Sequence, residues 1–236
     1  MPELIRPSSI LPATRREISF QTADHLTLVG EVASPIGVRK ASLLCLHPNP
    51  TGGGMMDSHI YKKMSNRLPA MAGIEVIRFN TRGTQSARGS SEGRYDNGDL
   101  EKLDVEAAIN FAFDDCKAEE LWVIGWSFGT DLALRHARDS RVKALILLSP
   151  PLMTTQESDL AWWAEDGRPV TALIPEFDDY LKPDAAKLRF ATLTQIQLIN
   201  VDEGKHLWVG EPAVYRVLSE ITALLAPDSL PLPTEW

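Results

Sequence analysis

Apolar residues along this chain of 236 residues follow two alternating patterns. Short consecutive apolar runs are typical of strands buried on both faces, whereas apolar residues recurring every three or four positions are typical of amphipathic helices. The short runs predict strands at 18–22, 26–33, 41–47, 74–80, 121–125, 142–148, 170–174 and 195–201. The helical pattern occurs at 58–71, 100–113, 128–137, 160–165, 184–193 and 212–225.

The order of these elements predicts the fold class. The first two strands flank a short polar turn and indicate an antiparallel N-terminal hairpin. Strands and helices then alternate, which predicts an α/β fold whose mostly parallel sheet of about eight strands is covered by helices on both faces. Functional sites of such sheets form beyond the carboxyl ends of the strands.

The chain is expected to contain one domain. Residues 1–15 contain proline and serine and are interpreted as an N-terminal arm, and residues 16–226 as the α/β domain. Residues 227–236 contain three prolines and predict an irregular C-terminal tail. The segment 81–98 is rich in glycine, serine and arginine and predicts a long loop.

Composition excludes several function classes. The formal net charge of −8 lacks the basic footprint that a nucleic-acid binder needs. No segment reaches the roughly 18 apolar residues of a membrane-spanning helix, and the N-terminus lacks the apolar core of a secretory signal, so a cytoplasmic location is expected. The two cysteines, Cys45 and Cys116, provide neither a disulfide framework nor zinc spacing and are interpreted as buried thiols.

One motif carries the candidate chemistry. Residues 125–129 read Gly-Trp-Ser-Phe-Gly, which is G-x-S-x-G, and they lie between a predicted strand and a predicted helix. In that context the motif predicts a sharp turn that exposes the serine hydroxyl at the top of the sheet, beyond the carboxyl end of its strand. Ser127 is therefore the candidate nucleophile.

A serine hydroxyl is a weak nucleophile and needs a base, which in turn needs an orienting acid. In this kind of fold the chain order is serine, acid, histidine. Of the five histidines, three precede Ser127 and His136 lies on the helix leaving it, so His206 is the candidate base. Asp178 is the preferred acid and Asp179 the next, because both follow the predicted strand 170–174, which precedes the strand that leads to His206.

The oxyanion of an acyl-transfer reaction needs two N–H donors. The backbone N–H of Phe128 is one candidate, because it follows the nucleophile. The loop after the third strand should provide the other. Its prolines have no N–H, so Asn49 is preferred and Thr51 is second. His47 begins this loop and is interpreted as a structural brace.

The segments LCLHPNPTGGGMMDS, IRFNTRG followed by SSEG, GWSFG, PEFDDYLKP and EGKHLW extend from about residue 40 to 210. Together they resemble the α/β-hydrolase superfamily, and particularly its small bacterial members without a cap, near dienelactone-hydrolase-like and serine-aminopeptidase-like esterases. The resemblance implies Ser127, Asp178 and His206 as a catalytic triad, Asn49 and Phe128 as oxyanion donors, and neither metal nor organic cofactor.

Two departures from the family pattern matter. Pro175 occupies a position where members often have glycine, which leaves the choice between Asp178 and Asp179 open. Dienelactone hydrolases proper use a cysteine nucleophile, so a serine indicates ordinary ester chemistry.

Only about twenty residues separate the strands 142–148 and 170–174, too few for a cap domain. An open site suits a small-molecule acyl substrate, and Met55, Trp126 and Met153 are predicted to line its acyl pocket. The sequence therefore predicts a carboxylesterase for short or exposed acyl esters. Alternatives are a peptidase or thioesterase with the same triad, a cofactor-free perhydrolase or haloperoxidase, and a non-enzymatic binding module. The oligomeric state is not predicted.

Overall fold

An eight-stranded sheet forms the centre of the protein, whose computed structural model describes residues 3–236. Its strands are β1 (Thr14–Gln21), β2 (Thr27–Ser34), β3 (Ala41–Leu46), β4 (Ile74–Phe79), β7 (Leu121–Trp126), β8 (Val142–Leu148), β9 (Val170–Phe177) and β10 (Gln197–Lys205). The short strands β5 (Gln85–Ser86) and β6 (Gly89–Ser90) pair separately.

The sheet has the predicted mixture of directions. The strand order is β1-β2-β4-β3-β7-β8-β9-β10. Strand β2 is antiparallel to both β1 and β4, and every other neighbouring pair is parallel. All residues of β3, β4 and β7 are buried, as expected for central strands covered on both faces. This confirms the predicted fold class.

Helices cover both faces of the sheet. They are α1 (His59–Ala72), α2 (Glu101–Asp114), α3 (Phe128–His136), α4 (Glu157–Asp166), α5 (Pro183–Arg189) and α6 (Glu211–Leu225). Helices α1 and α6 pack with one face into one hydrophobic cluster, and α2 to α5 pack with the other face into a second cluster. Between β8 and β9 the chain forms only α4, so the protein has no cap domain.

Several boundaries differ from the predictions. Strand β1 begins at Thr14, inside the segment interpreted as an arm, and the predicted loop 81–98 contains the hairpin of β5 and β6. Strand β9 continues to Phe177, beyond Pro175. Its pairing with β8 ends at Leu173. Pro175, which has no N–H, therefore does not interrupt the hydrogen bonds between these two strands. Helix α5 ends at Arg189, four residues before its predicted end.

The described part of the predicted arm pairs with the C-terminal tail. Glu3 and Trp236 exchange two backbone hydrogen bonds of 3.0 and 2.9 Å, and Ile5 N–H donates to the carbonyl of Thr234. Both chain ends therefore lie together beside α1 and α6. In the described part of the chain, no helix combines the length and the apolar character needed to cross a membrane.

Candidate active site

The turn between β7 and α3 places Ser127 in a strained conformation, with φ of 53° and ψ of −122°. Two glycines make this turn possible because the backbone passes very close to itself. A Cβ atom on Gly129 would lie 1.9 Å from the carbonyl oxygen of Leu46, and one on Gly125 would lie 2.2 Å from the carbonyl oxygen of Gly129. The G-x-S-x-G sequence thus forms the sharp turn that its context predicts.

Ser127, His206 and Asp178 lie in one hydrogen-bonded chain. The distance from His206 Nε2 to Ser127 Oγ is 2.8 Å, and that from His206 Nδ1 to Asp178 Oδ2 is 2.9 Å. His206 is 7% exposed and Asp178 only 2% exposed. The structure therefore brings together the three side chains that the sequence singled out from segments far apart in the chain.

Asp178, and not its exposed neighbour Asp179, contacts the histidine. Its second oxygen, Oδ1, accepts hydrogen bonds from the backbone N–H groups of Tyr180 at 2.8 Å and Leu181 at 3.2 Å. Burial by itself would raise the pKa of Asp178, but the hydrogen bonds from His206, Tyr180 and Leu181 outweigh it and lower that pKa. The carboxyl group is accordingly ionised at neutral pH.

The end of β10 carries His206 to this position. The pairing of β10 with β9 shifts between Val201 and Lys205, and Glu203 within this irregular segment has a φ of 55°. The Glu203 N–H donates to the carboxylate of Glu176 on β9. A bulge of this kind redirects the chain at a strand end, and here it precedes His206.

Buried donors also fix the backbone of His206. The indole Nε1 of Trp126 and the hydroxyl of Ser149 both donate to the His206 carbonyl, each at 3.2 Å. The ring of Tyr180 lies against the imidazole with a centroid separation of 4.7 Å. These contacts restrict both the backbone and the ring of His206.

The backbone N–H groups predicted as oxyanion donors are not used in hydrogen bonds within the described chain. Within residues 3–236, the backbone N–H groups of Asn49 and Phe128 have no hydrogen-bond acceptor. The N–H of Thr51, the second choice of the sequence, instead donates to Asn49 Oδ1 at 2.9 Å and is therefore occupied. A Cβ on Gly54 would lie 2.1 Å from the carbonyl oxygen of Pro48, so glycine is required for this compact loop.

His47 braces the same loop, as the sequence indicated. Its Nε2 accepts a hydrogen bond from the Thr81 N–H at 3.1 Å, which leaves the proton on Nδ1 to be donated to the Pro48 carbonyl at 2.7 Å. The ring is completely buried, and burial lowers the pKa of His47 to about 4. His47 is therefore neutral at pH 7 and acts as a fixed link between the loop and the end of β4.

An open cleft of about 380 Å³ lies beside Ser127. Trp126 lines it as predicted, but Met55 and Met153 do not, and Met153 is 71% exposed. The structure therefore gives no support to the predicted acyl-pocket role of the two methionines. The lining residues are Pro48, Asn49, Gly52, Gly53, Gly54, Ser58, His59, Trp126, Ser127, Tyr180, His206, Leu207 and Val209.

The sequence did not identify several of these lining residues. His59 was set aside only as a catalytic base, because it precedes Ser127, yet it lines the cleft at the start of α1. Tyr180 and Leu207 adjoin the predicted acid and base segments, so their position in the sequence was the available signal. Both cysteines are buried, as predicted.

Comparison with known families agrees with this architecture. A sequence model of the family described as alpha/beta hydrolase fold matches residues 42–202, which include Ser127 and Asp178. Among curated proteins, an uncharacterized protein of Rickettsia prowazekii is 28% identical over 146 residues. That match covers 61% of this chain and 59% of the Rickettsia protein.

Solved structures share the fold over nearly the whole chain. An alpha-beta serine hydrolase homologue from Coxiella burnetii has a TM-score of 0.76 at 22% identity, over 89% of this chain and 97% of its own. A serine hydrolase without a lid from Xanthomonas campestris has a TM-score of 0.74 at 23% identity, over 93% and 99%. A Pyrococcus furiosus esterase has a TM-score of 0.70 at 17% identity, over 91% and 94%. Such identities show a likeness of fold.

Proposed function

The chain belongs to the alpha/beta hydrolase family, and on that premise we propose that it is a carboxylesterase acting through an acyl-enzyme on Ser127. The observation that carries the proposal is the continuous hydrogen-bonded chain from Asp178 through His206 to Ser127. The fold and the serine hydrolases that share it support hydrolase activity. One of the proteins with the same fold is an esterase from Pyrococcus furiosus, and this is a reason to propose esters as the substrate class.

In the first step, His206 Nε2 takes the proton of the Ser127 hydroxyl while Oγ attacks the ester carbonyl. These two atoms are 2.8 Å apart, which is within hydrogen-bonding distance and allows direct proton transfer. Asp178 accepts the Nδ1–H of His206, so Nε2 of the neutral ring faces the serine with its lone pair. The ionised carboxylate also stabilises the imidazolium that forms.

The negative charge that develops on the carbonyl oxygen is assigned to the N–H groups of Asn49 and Phe128. Both lack an internal acceptor within the described chain, and the Phe128 N–H lies at the N-terminus of α3, where the helix dipole favours negative charge. Donors that are fixed before the reaction need no reorganisation, and each contributes about 10²–10³ in rate.

Collapse of the tetrahedral intermediate breaks the ester C–O bond, and the imidazolium of His206 gives its proton to the leaving alcohol. Water then enters, loses a proton to His206 Nε2 and attacks the acyl-enzyme. The second tetrahedral intermediate releases the carboxylic acid and returns the proton to Ser127 Oγ. The open cleft, with no cap above it, suits short acyl esters or an acyl group at the exposed end of a larger molecule.

Replacing the nucleophile tests the proposal. Hydrolysis of p-nitrophenyl acetate and butanoate by Ser127→Ala should fall by about 10⁴-fold or more, because the residual rate comes only from binding and oxyanion stabilisation. The matched control is Ser158→Ala, which removes an exposed hydroxyl from α4 and should leave kcat/KM unchanged. A fluorophosphonate probe should label the wild type and the control but not Ser127→Ala.

The substrate class requires a second measurement. A panel of matched butanoyl esters, thioesters and aminoacyl amides should give the highest kcat/KM for the esters. Full p-nitrophenyl esterase activity in Ser127→Ala would refute the acyl-enzyme mechanism. A higher kcat/KM for the thioesters or amides would replace the carboxylesterase assignment with a thioesterase or peptidase.

A further inference from the structure

The cleft beside Ser127 has an apolar border and a polar border. The apolar border consists of Tyr180, Leu207 and Val209, whose exposed fractions are 59%, 55% and 76%. Large apolar side chains exposed together beside a candidate site are typical of a surface that is covered by a ligand. A substrate that lies in the cleft would cover part of this border.

Ser58 and His59 form the polar border at the start of α1. Ser58 Oγ accepts the Met55 N–H at 3.1 Å, but within residues 3–236 its own O–H has no acceptor. His59 Nε2 lies 3.2 Å from the Trp208 carbonyl, to which it must donate because a carbonyl oxygen only accepts. In the neutral ring the remaining atom, Nδ1, is then an acceptor.

The Nδ1 atom of His59 is available to a ligand. No group within the described residues hydrogen-bonds to it, and it is not among the buried unpaired side-chain atoms, so it is open to solvent. The polar border thus offers one hydroxyl donor and one imidazole acceptor on adjacent residues. A hydroxyl group matches this pair, because it accepts and donates at the same oxygen.

The rest of the cleft argues that the recognised group is uncharged. Among the described residues that line it, none is Lys, Arg, Asp or Glu. A carboxylate, phosphate or ammonium group would therefore lose hydration without gaining a side chain of opposite charge. An uncharged polar group has a smaller desolvation cost and can be recognised by two hydrogen bonds.

We propose that the preferred substrates are esters that carry a free hydroxyl group in addition to an apolar group. Ser58 and His59 bind the hydroxyl, and Tyr180, Leu207 and Val209 contact the apolar part. This inference rests on the proposed esterase function and narrows its substrate class. Ser58 and His59 then determine specificity and take no part in bond breaking.

Three related esters test the proposal. Ethyl butanoate has no free hydroxyl, 2-hydroxyethyl butanoate has one on the alcohol part, and ethyl 3-hydroxybutanoate has one on the acyl part. The measured quantity is the ratio of kcat/KM for each hydroxylated ester to that for ethyl butanoate. Differences in intrinsic reactivity between the esters cancel when this ratio is compared between enzyme variants.

Two variants remove the recognition groups. Ser58→Ala removes the hydroxyl. His59→Gln keeps an amide N–H that can donate to the Trp208 carbonyl but has no acceptor atom at the position of Nδ1. Each should lower the ratio for at least one hydroxylated ester by about threefold to tenfold, the value of one hydrogen bond. Ser158→Ala is the control and should keep the wild-type ratios. Circular dichroism verifies that each variant is folded.

The outcomes separate the two proposals. If the wild type hydrolyses all three esters and neither variant changes either ratio, the hydroxyl preference is wrong and the esterase function stands. A variant that lowers kcat/KM for all three esters by the same factor also contradicts the hydroxyl preference, because the substitution then affects the site in general and not the binding of the hydroxyl group. If the folded wild type hydrolyses none of the three, the esterase function fails and the inference fails with it.

Discussion

Acidification should destabilise this protein through His47, the buried histidine that links the loop after β3 to the end of β4. Its ring has no solvent exposure, and burial lowers its pKa from 6.5 to about 4. In the unfolded chain the same ring takes up a proton near pH 6.5. Between these pH values the unfolded state binds the additional proton, so the free energy of unfolding falls as the pH falls.

The difference between the two pKa values gives the magnitude. The interval from 6.5 to about 4 corresponds to about 3 kcal/mol of unfolding free energy over the whole range. Because the loss begins near pH 6.5, about 2 kcal/mol of it should already have occurred at pH 5. That is a large fraction of the 5–15 kcal/mol that is typical of a folded domain.

Urea unfolding of the wild type and of His47→Gln at pH 7, 6 and 5 measures this effect. A glutamine can accept the Thr81 N–H but loses the bond to the Pro48 carbonyl, so it should cost about 1–2 kcal/mol at pH 7. The stability gap between the two proteins should change in favour of the variant by about 2 kcal/mol between pH 7 and pH 5. Other groups titrate in both proteins and cancel. Parallel pH profiles would refute a neutral, buried His47.

Three further substitutions have definite expectations. Asp178→Asn should lower esterase kcat by about 10²–10⁴ with little change in KM, because the carboxylate that orients the imidazole is lost. An unchanged kcat would contradict this role of Asp178. Gly129→Ala should abolish esterase activity and reduce the yield of folded protein, since its Cβ would lie 1.9 Å from the Leu46 carbonyl oxygen. Wild-type activity and wild-type thermal stability would contradict the turn geometry. Glu31→Leu should lower the free energy of unfolding, measured with urea, by about 3 kcal/mol, because the buried Arg78 guanidinium loses its carboxylate partner at 2.7 Å. A loss below about 1 kcal/mol would show that the remaining contacts of Arg78 are enough to stabilise its charge.

The central strands could be predicted because their environment leaves a simple pattern. Strands β3, β4 and β7 are buried on both faces, and each appears in the sequence as a short apolar run. The start of β1 gave no such signal. Its first residues, Thr14 and Arg15, are polar because β1 is an edge strand, and Arg15 donates to the Ser65 carbonyl of α1. Only tertiary contacts place them in the sheet.

Strand ends near the candidate site were also beyond the sequence pattern. The predicted strand 170–174 ends before Pro175, yet β9 continues to Phe177, where β10 still pairs with it and β8 does not. The irregular segment of β10 before His206 depends on a long-range bond from the Glu203 N–H to Glu176. Neither feature follows from local propensity, because each depends on which strand lies alongside.

The residues of the candidate site could be predicted where the order of residues along the chain and the chemistry of the backbone restrict the choice of residue. The position of His206 after Ser127 and the absence of N–H groups from the prolines beside Asn49 both come directly from the sequence. The choice between Asp178 and Asp179 did not, because adjacent residues of one turn point in different directions that only coordinates reveal. The border of the cleft could not be predicted either, because His59 comes from α1, which is remote in the sequence from Ser127 and His206.

A site without a cap must obtain its precision from the domain beneath it, and the hydrogen bonds indicate how. His47 fixes the loop that carries Asn49, while Trp126 and Ser149 hold the carbonyl of His206, and all three of these supporting residues are almost completely buried. Buried hydrogen bonds of this kind are costly to break without replacement. In the proposed mechanism the base and an oxyanion donor are therefore positioned by the core before substrate arrives, so closure of a lid is not needed to assemble them.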